Sequence, residues 1–135
     1  MGEEIPPTHP RYWSLVTRQK LVDATREGIV VLHGLISHGR GEAFDYLLGE
    51  QTHDFALEAE RAAVTAMILA RRPIISVNGN YAALAADEIV QLSEALGVPI
   101  EVNVFHRTED RVRKIEEYMR AHGARLVYGL SLIHI

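Results

Sequence analysis

Apolar positions along the chain recur at helical spacing in long stretches and cluster in short β-branched runs between them. From Thr8 to Gly28 the pattern predicts a helix capped by Thr8, with Pro10 in its first turn and Leu15 and Val22 on its apolar side. The run Ile29 to Ile36 is apolar but broken by His33-Gly34, so a strand and a buried helix both fit it. His38-Gly39-Arg40-Gly41 reads as a glycine-rich turn leading into a short helix, Glu42 to Leu48, stopped by Gly49. A longer helix, about Asp54 to Arg72, carries Ala59, Ala62, Ala63, Ala66 and Ala70 on a side expected to be buried, and Pro73 ends it.

Beyond Pro73 short strands and helices alternate. Ile74 to Val77 reads as a buried strand and Asn78-Gly79-Asn80 as a turn of residues that tolerate positive φ. Ala85, Ile89, Leu92 and Leu96 form the stripe of a helix closed by Gly97 and Pro99. The same unit follows: strand Ile100 to Phe105, turn His106-Arg107, and a helix capped by Thr108 with Glu109 and Asp110 in its first turn. Val112, Ile115 and Met119 are its stripe, Gly123 its stop, and Arg125 to Tyr128 a further strand. This order predicts right-handed crossovers and a parallel sheet. The expected fold is therefore α/β, a three-layer, Rossmann-like parallel sheet with helices on both faces, preceded by an N-terminal helical segment. Such a sheet normally continues past its third strand. The expectation is a truncated chain, with residues 1–130 the N-terminal portion of a single domain and Ser131 to Ile135 foreign to the fold.

Composition narrows the function classes. At 135 residues, 47% hydrophobic and without Cys, the chain suits one domain with a sizeable core and excludes disulfides, thiolate metal sites and cysteine nucleophiles. Met1-Gly2-Glu3-Glu4 lacks the basic and apolar parts of an export signal, and Pro6 stands where a myristoylation motif needs Ser or Thr. The apolar stretch Ala62 to Ala70 is about half the ~18 residues that a membrane span needs. A cytoplasmic protein without a membrane partner is expected. A net charge of −4 argues against a nucleic-acid partner, yet residues 5–40 carry a local +3. A small anionic ligand near the N-terminal third fits that asymmetry.

The candidate chemistry gathers at two places. Gly34 to Glu42 sets backbone amides, His38 and Arg40 close together, which suits phosphate, although neither a Walker A loop nor a G-x-G-x-x-G is present. The second place is the C-terminal edge of the strands, where open α/β folds bind ligands and where Asn78-Gly79-Asn80 and His106-Arg107 face one crevice. The histidines have no metal-ligand spacing, no G-x-S-x-G elbow occurs, and the Tyr12-Trp13 pair reads as core packing.

Four phrases in order carry a resemblance: His9-Pro10-Arg11-Tyr12-Trp13-Ser14-Leu15, Gly34 through Leu47, Ser76-Val77-Asn78-Gly79-Asn80, and Asn103-Val104-Phe105-His106-Arg107-Thr108-Glu109. Together they resemble the archaeal-type phosphopantothenate synthetase (4-phosphopantoate/beta-alanine ligase) family, over nearly the whole chain up to about Tyr128. The resemblance implies an enzyme of coenzyme A biosynthesis that joins 4-phosphopantoate to beta-alanine while splitting ATP to AMP and pyrophosphate through an acyl adenylate, with Mg2+ expected beside ATP. It places Arg18 and Arg40 at ATP and implies a homodimer, with the Ala-rich helix available for close packing. On physical grounds Asn78, Asn80 and Arg107, with His38 beside them, are candidates for the phosphopantoate carboxylate or phosphate. Family members are longer than this chain and have further ATP contacts beyond it. A non-catalytic nucleotide-binding module and an inactive fragment are the competing readings; a nicotinamide dehydrogenase is disfavoured by the missing third glycine.

Overall fold

The computed structural model describes residues 5–129, and the expectation of a foreign tail from Ser131 to Ile135 concerns residues outside them. In chain order the elements are α1 (Tyr12–Arg26), α2 (Leu32–Leu48), α3 (Asp54–Leu69), β1 (Ile75–Val77), α4 (Gly79–Leu96), β2 (Ile100–Val102), α5 (Glu109–Ala121) and β3 (Val127–Tyr128). The strands form one parallel sheet in the order β1-β2-β3, with Ile75 opposite Ile100, Val77 opposite Val102 and Ile100 opposite Val127.

Parallel strands in sequential order require two crossovers of the same hand, which bring α4 and α5 side by side onto one face of the sheet. There Ile75, Val77, Ile100, Val102 and Val127 meet Ile89 of α4 and Val112, Ile115 and Met119 of α5 in one core. Packing of α1 against α4 adds Leu21 and Ala24. Each large aliphatic side chain so buried contributes about 1.5–3 kcal/mol, so this layer is what holds the sheet. On the opposite face Ser76 and Tyr128, in register on either side of the buried Glu101, are exposed. The α/β class and the parallel sheet are as predicted, and of the two helical layers expected the described residues supply this one.

Several local expectations are corrected. Thr8 does not cap the first helix: α1 starts at Tyr12 behind Arg11, after a turn in which the His9 N–H bonds the Pro6 carbonyl at 2.9 Å and the Tyr12 N–H bonds the His9 carbonyl at 2.9 Å. Pro10 disfavours helical backbone at His9, which delays the start. The ambiguous run divides: Ile29 and Val30 form a buried connection, Val31 is extended (φ −97, ψ 159), and helix begins at Leu32. The glycine-rich turn is no turn, because α2 runs from Leu32 to Leu48 straight through Gly34, Gly39 and Gly41, none of which has positive φ. Each glycine costs a helix about 1 kcal/mol, a local bias that docking of α2 on α1 outweighs.

Two helices bury other faces than their patterns suggest. α3 buries no residue, and the alanines read as its buried side are exposed along with Phe55, Ile68 and Leu69. In α4 the helix is interrupted at Ala85 (φ −140, ψ 32), and Ala82, Ala86, Ile89, Val90 and Ser93 form the buried face, with Ala85, Leu92 and Leu96 at its margin. β2 ends at Val102 rather than Phe105, which is wholly exposed at the edge of the crevice described next.

Candidate functional site

The C-terminal edge of the sheet opens onto a cavity of about 260 Å³. Its walls come from the first turns of α2, α4 and α5 and from the loop after β2, so three helix N-termini converge there. Asn78-Gly79-Asn80 is not a positive-φ turn but the start of α4: Asn78 Oδ1 accepts from the Tyr81 N–H at 3.0 Å as the N-cap. Asn80 Nδ2 donates to the Gly34 carbonyl at 2.8 Å and so ties α4 to α2. A Cβ on Gly34 would collide with that same Asn80 side chain and with Val30, and a Cβ on Gly79 would collide with the Ile29 carbonyl. Both glycines are close-approach positions rather than hinges.

Arg111 organises the floor. Its Nε donates to the Ile29 carbonyl at 3.1 Å and its Nη1 to the His106 carbonyl at 3.0 Å, and burial pushes the guanidinium down from its ordinary value. Across the opening the His33 and His106 rings stack with centroids 4.8 Å apart and planes at 27°.

The predicted site residues divide between two regions. Asn78 and Asn80 line the crevice, where Asn78 caps α4 and Asn80 ties α4 to α2. Arg107 is exposed and its Nη2 donates to the Gly129 carbonyl at 3.3 Å. His38 lies apart from them, half-buried in a separate cleft of about 610 Å³ between α1 and α2, beside Trp13, Glu42 and Asp45. Trp13 is not core: it is 74% exposed and meets Tyr12 edge-on at 5.1 Å. Arg18 on α1 and Arg40 on α2 are exposed and form no ion pair among the described residues. His33 and Arg111 were not legible as site residues. The one available signal was a basic residue in the first turn of the helix that follows β2, which fits Arg111; nothing comparable marks His33.

Glu42, read from sequence as part of an anion-binding turn, is instead the buried carboxylate that joins α1 to α2. Arg11 Nε donates to its Oε1 at 2.7 Å while Arg11 Nη2 also reaches it, and Tyr46 Oη donates to the same oxygen at 2.5 Å. The Tyr46 hydrogen bond, the nearby Ser14 hydroxyl and Arg11 hold the Glu42 carboxyl at about 2. The hydrogen bond to Glu42 in turn raises the pKa of both Arg11 and Tyr46. This network links the phrase around Arg11 to the phrase around Glu42; of the cations of the +3 segment, Arg11 is paired with Glu42 and, separately, Arg26 with Asp23. Arg18, Lys20 and Arg40 form no ion pair among the described residues.

A helical glycine-rich segment makes a signed prediction. Gly39 and Gly41 have open space where a Cβ would stand. Gly39→Ala and Gly41→Ala are each expected to raise stability by about 0.5–1 kcal/mol, measured by denaturant unfolding. A loss of stability in both would mean that these positions are not helical.

The sequence model of the phosphopantothenate/pantothenate synthetase family matches residues 55–134, more than half of the chain. The chain belongs to this family. As a phosphopantothenate/pantothenate synthetase family member it is similar to the 4-phosphopantoate–beta-alanine ligase of Methanospirillum hungatei, 57% identical over 125 residues covering 93% of this chain and 51% of the relative. The ligase of the same name from Methanosarcina mazei is 54% identical over 126 residues, 93% of this chain and 50% of the relative. That of Thermococcus kodakarensis is 52% identical over 128 residues, 94% of this chain and 49% of the relative. The chain spans about half the length of the curated relatives it matches. Among the described residues of this family member, no helix is long and apolar enough to cross a membrane, and no group of three His, Asp or Glu is placed to hold a metal ion.

Proposed function

We propose that the protein is an ATP-dependent ligase that condenses 4-phosphopantoate with beta-alanine to 4'-phosphopantothenate in coenzyme A biosynthesis. The observation that carries this reading is the identity of 51–57% to four ligases of that name. The chemistry follows from the substrates. A carboxylate is a poor electrophile, so its oxygen attacks the α-phosphorus of ATP, pyrophosphate leaves, and an acyl adenylate results. The amine of beta-alanine then attacks the acyl carbon, the amide bond forms, and AMP departs. Cations are needed where charge builds on the transferring phosphates, and Arg18 and Arg40, on neighbouring helices and without an ion pair among the described residues, suit that part. Asn78 and Asn80 act from the crevice as positioning residues, Arg107 lies beyond its rim, and His38 belongs with the α1–α2 cleft. Mg2+ would accompany the phosphates of ATP and share with these cations the neutralisation of their charge.

The same reading includes a homodimer, for which the apolar residues exposed on α3 offer a surface, and the cytoplasm, where ATP is at hand. AMP release with and without beta-alanine, in a chain extended to the length of the relatives, tests the reaction. Strict dependence on beta-alanine is expected, and Arg40→Ala should raise the KM for ATP roughly tenfold, the equivalent of one charge-assisted contact. AMP release indifferent to beta-alanine, or ATP bound without turnover, would leave a nucleotide-binding module instead.

A further inference from the structure

At the N-terminal edge of the sheet, opposite the crevice, lies a further cavity of about 840 Å³, within the ~300–1,000 Å³ of small-molecule sites. Its walls are the end of α3, the connection that leads into β1, and the end of α4 with the Val98-Pro99 turn that leads into β2. Most of that lining is apolar. Met67 is the residue of α3 that packs against the core and Val98 is buried within it, while Ile74 and Leu96 line the cavity beside them. The ionisable side chains on the walls are Arg71 and Arg72, with no carboxylate among them. Both arginines are exposed, and neither has an ion pair or a side-chain hydrogen bond among the described residues. Glu94, next in sequence to the lining residue Ala95, is held by Arg125 at 3.5 Å. The C-termini of α3 and α4 abut the cavity with a partial negative charge of roughly one half each, which two full positive charges exceed.

We propose that this cavity binds an amphiphilic anion, its head group held by Arg71 and Arg72 and its apolar chain laid along Met67, Ile74, Leu96 and Val98. Each guanidinium presents a planar fork of donors that matches a carboxylate or a phosphate, and the apolar walls give a hydrocarbon chain a place out of water. Charge and hydrocarbon are both required: the arginines alone would hold any small anion weakly, and the walls alone would take any apolar molecule. Because the cavity and the crevice lie at opposite edges of the sheet, a ligand here does not compete with one there. Recognition of the anion does not depend on the ligase reading.

Octanoate is a direct probe, with octanol, acetate and octyl phosphate as its comparisons. In calorimetry octanoate should bind at least tenfold more tightly than octanol, which lacks the charge, and at least tenfold more tightly than acetate, which lacks the chain. The order of octanoate and octyl phosphate identifies the head group, and either order upholds the site if both exceed octanol. The methyl resonance of Met67 should shift during the titration while that of Met119, buried in the core, stays in place. The double substitution Arg71→Gln/Arg72→Gln should weaken octanoate at least tenfold, leave octanol unchanged and keep the unfolding midpoint, since both side chains are exposed. Equal affinity for octanoate and octanol, or full affinity for octanoate in the folded double variant, overturns the proposal. So does a Met67 resonance that fails to move when octanoate binds. A chain extended to the length of the relatives should bind octanoate as well, and loss of binding there would show that the cavity is occupied by the protein itself, which equally overturns it.

Discussion

A chain with alanine at Gly79 is expected to be about 3 kcal/mol less stable than the parent, the upper part of the range for forcing a methyl into a filled space. The added carbon would meet the Ile29 backbone carbonyl and approach Arg111 Nη2 at 2.8 Å, and a carbonyl fixed between α1 and α2 cannot rotate away. Relief requires α4 to move off the connection at Ile29 and Val30, both of them buried core residues. Gly97→Ala is the natural comparison: there the backbone is left-handed (φ 65) with open space around it, so only conformational strain of about 1–2 kcal/mol is expected. Thermal or denaturant unfolding of the two variants decides the matter. If Gly79→Ala proves no worse than Gly97→Ala, the close approach of α4 to that connection is wrong, and with it the geometry of the crevice.

Glu42→Gln is expected to cost about 2 kcal/mol at neutral pH, the scale of losing hydrogen bonds to a charged group. Half-exposure of Arg11 to water keeps the loss toward the lower end. The pH dependence follows from the carboxyl, held at about 2 against an ordinary 4.5. Because the folded value is depressed, the stabilisation is fully present above about 4.5 and is lost as pH falls toward 2. The stability difference between parent and variant should therefore be flat from pH 7 to pH 5 and shrink below it. A difference that stays constant down to pH 2.5 would show that the charge of Glu42 is not what binds α1 to α2. Since Arg18 and Arg40 sit on those two helices, a full-length Glu42→Gln protein should also show a raised KM for ATP with the crevice unaffected.

The C-terminal part of the fold, from β1 onward, was written in local pattern. Short β-branched runs, period-3.6 stripes, Thr108 as a cap, and Gly97 and Gly123 as stops mark out β1 through β3, because each of these signals acts within a few residues of the backbone it shapes, whereas Asn78 reads as part of a turn and is the N-cap of α4. The recurrent phrases were legible as well, and the family they resemble is the one to which the chain belongs. The N-terminal third was not so readable. Gly39 and Gly41 look like a turn to any local rule, and α2 is continuous because Glu42 and Gly34 are held from outside it, by Arg11 and by Asn80. Likewise the partnership of His33 with His106, and of Arg111 with Ile29, joins residues 73 and 82 positions apart. No periodicity carries such a pairing. It exists only once the crossovers have brought three helix starts to one edge of the sheet, where packing and burial, rather than local propensity, choose the neighbours.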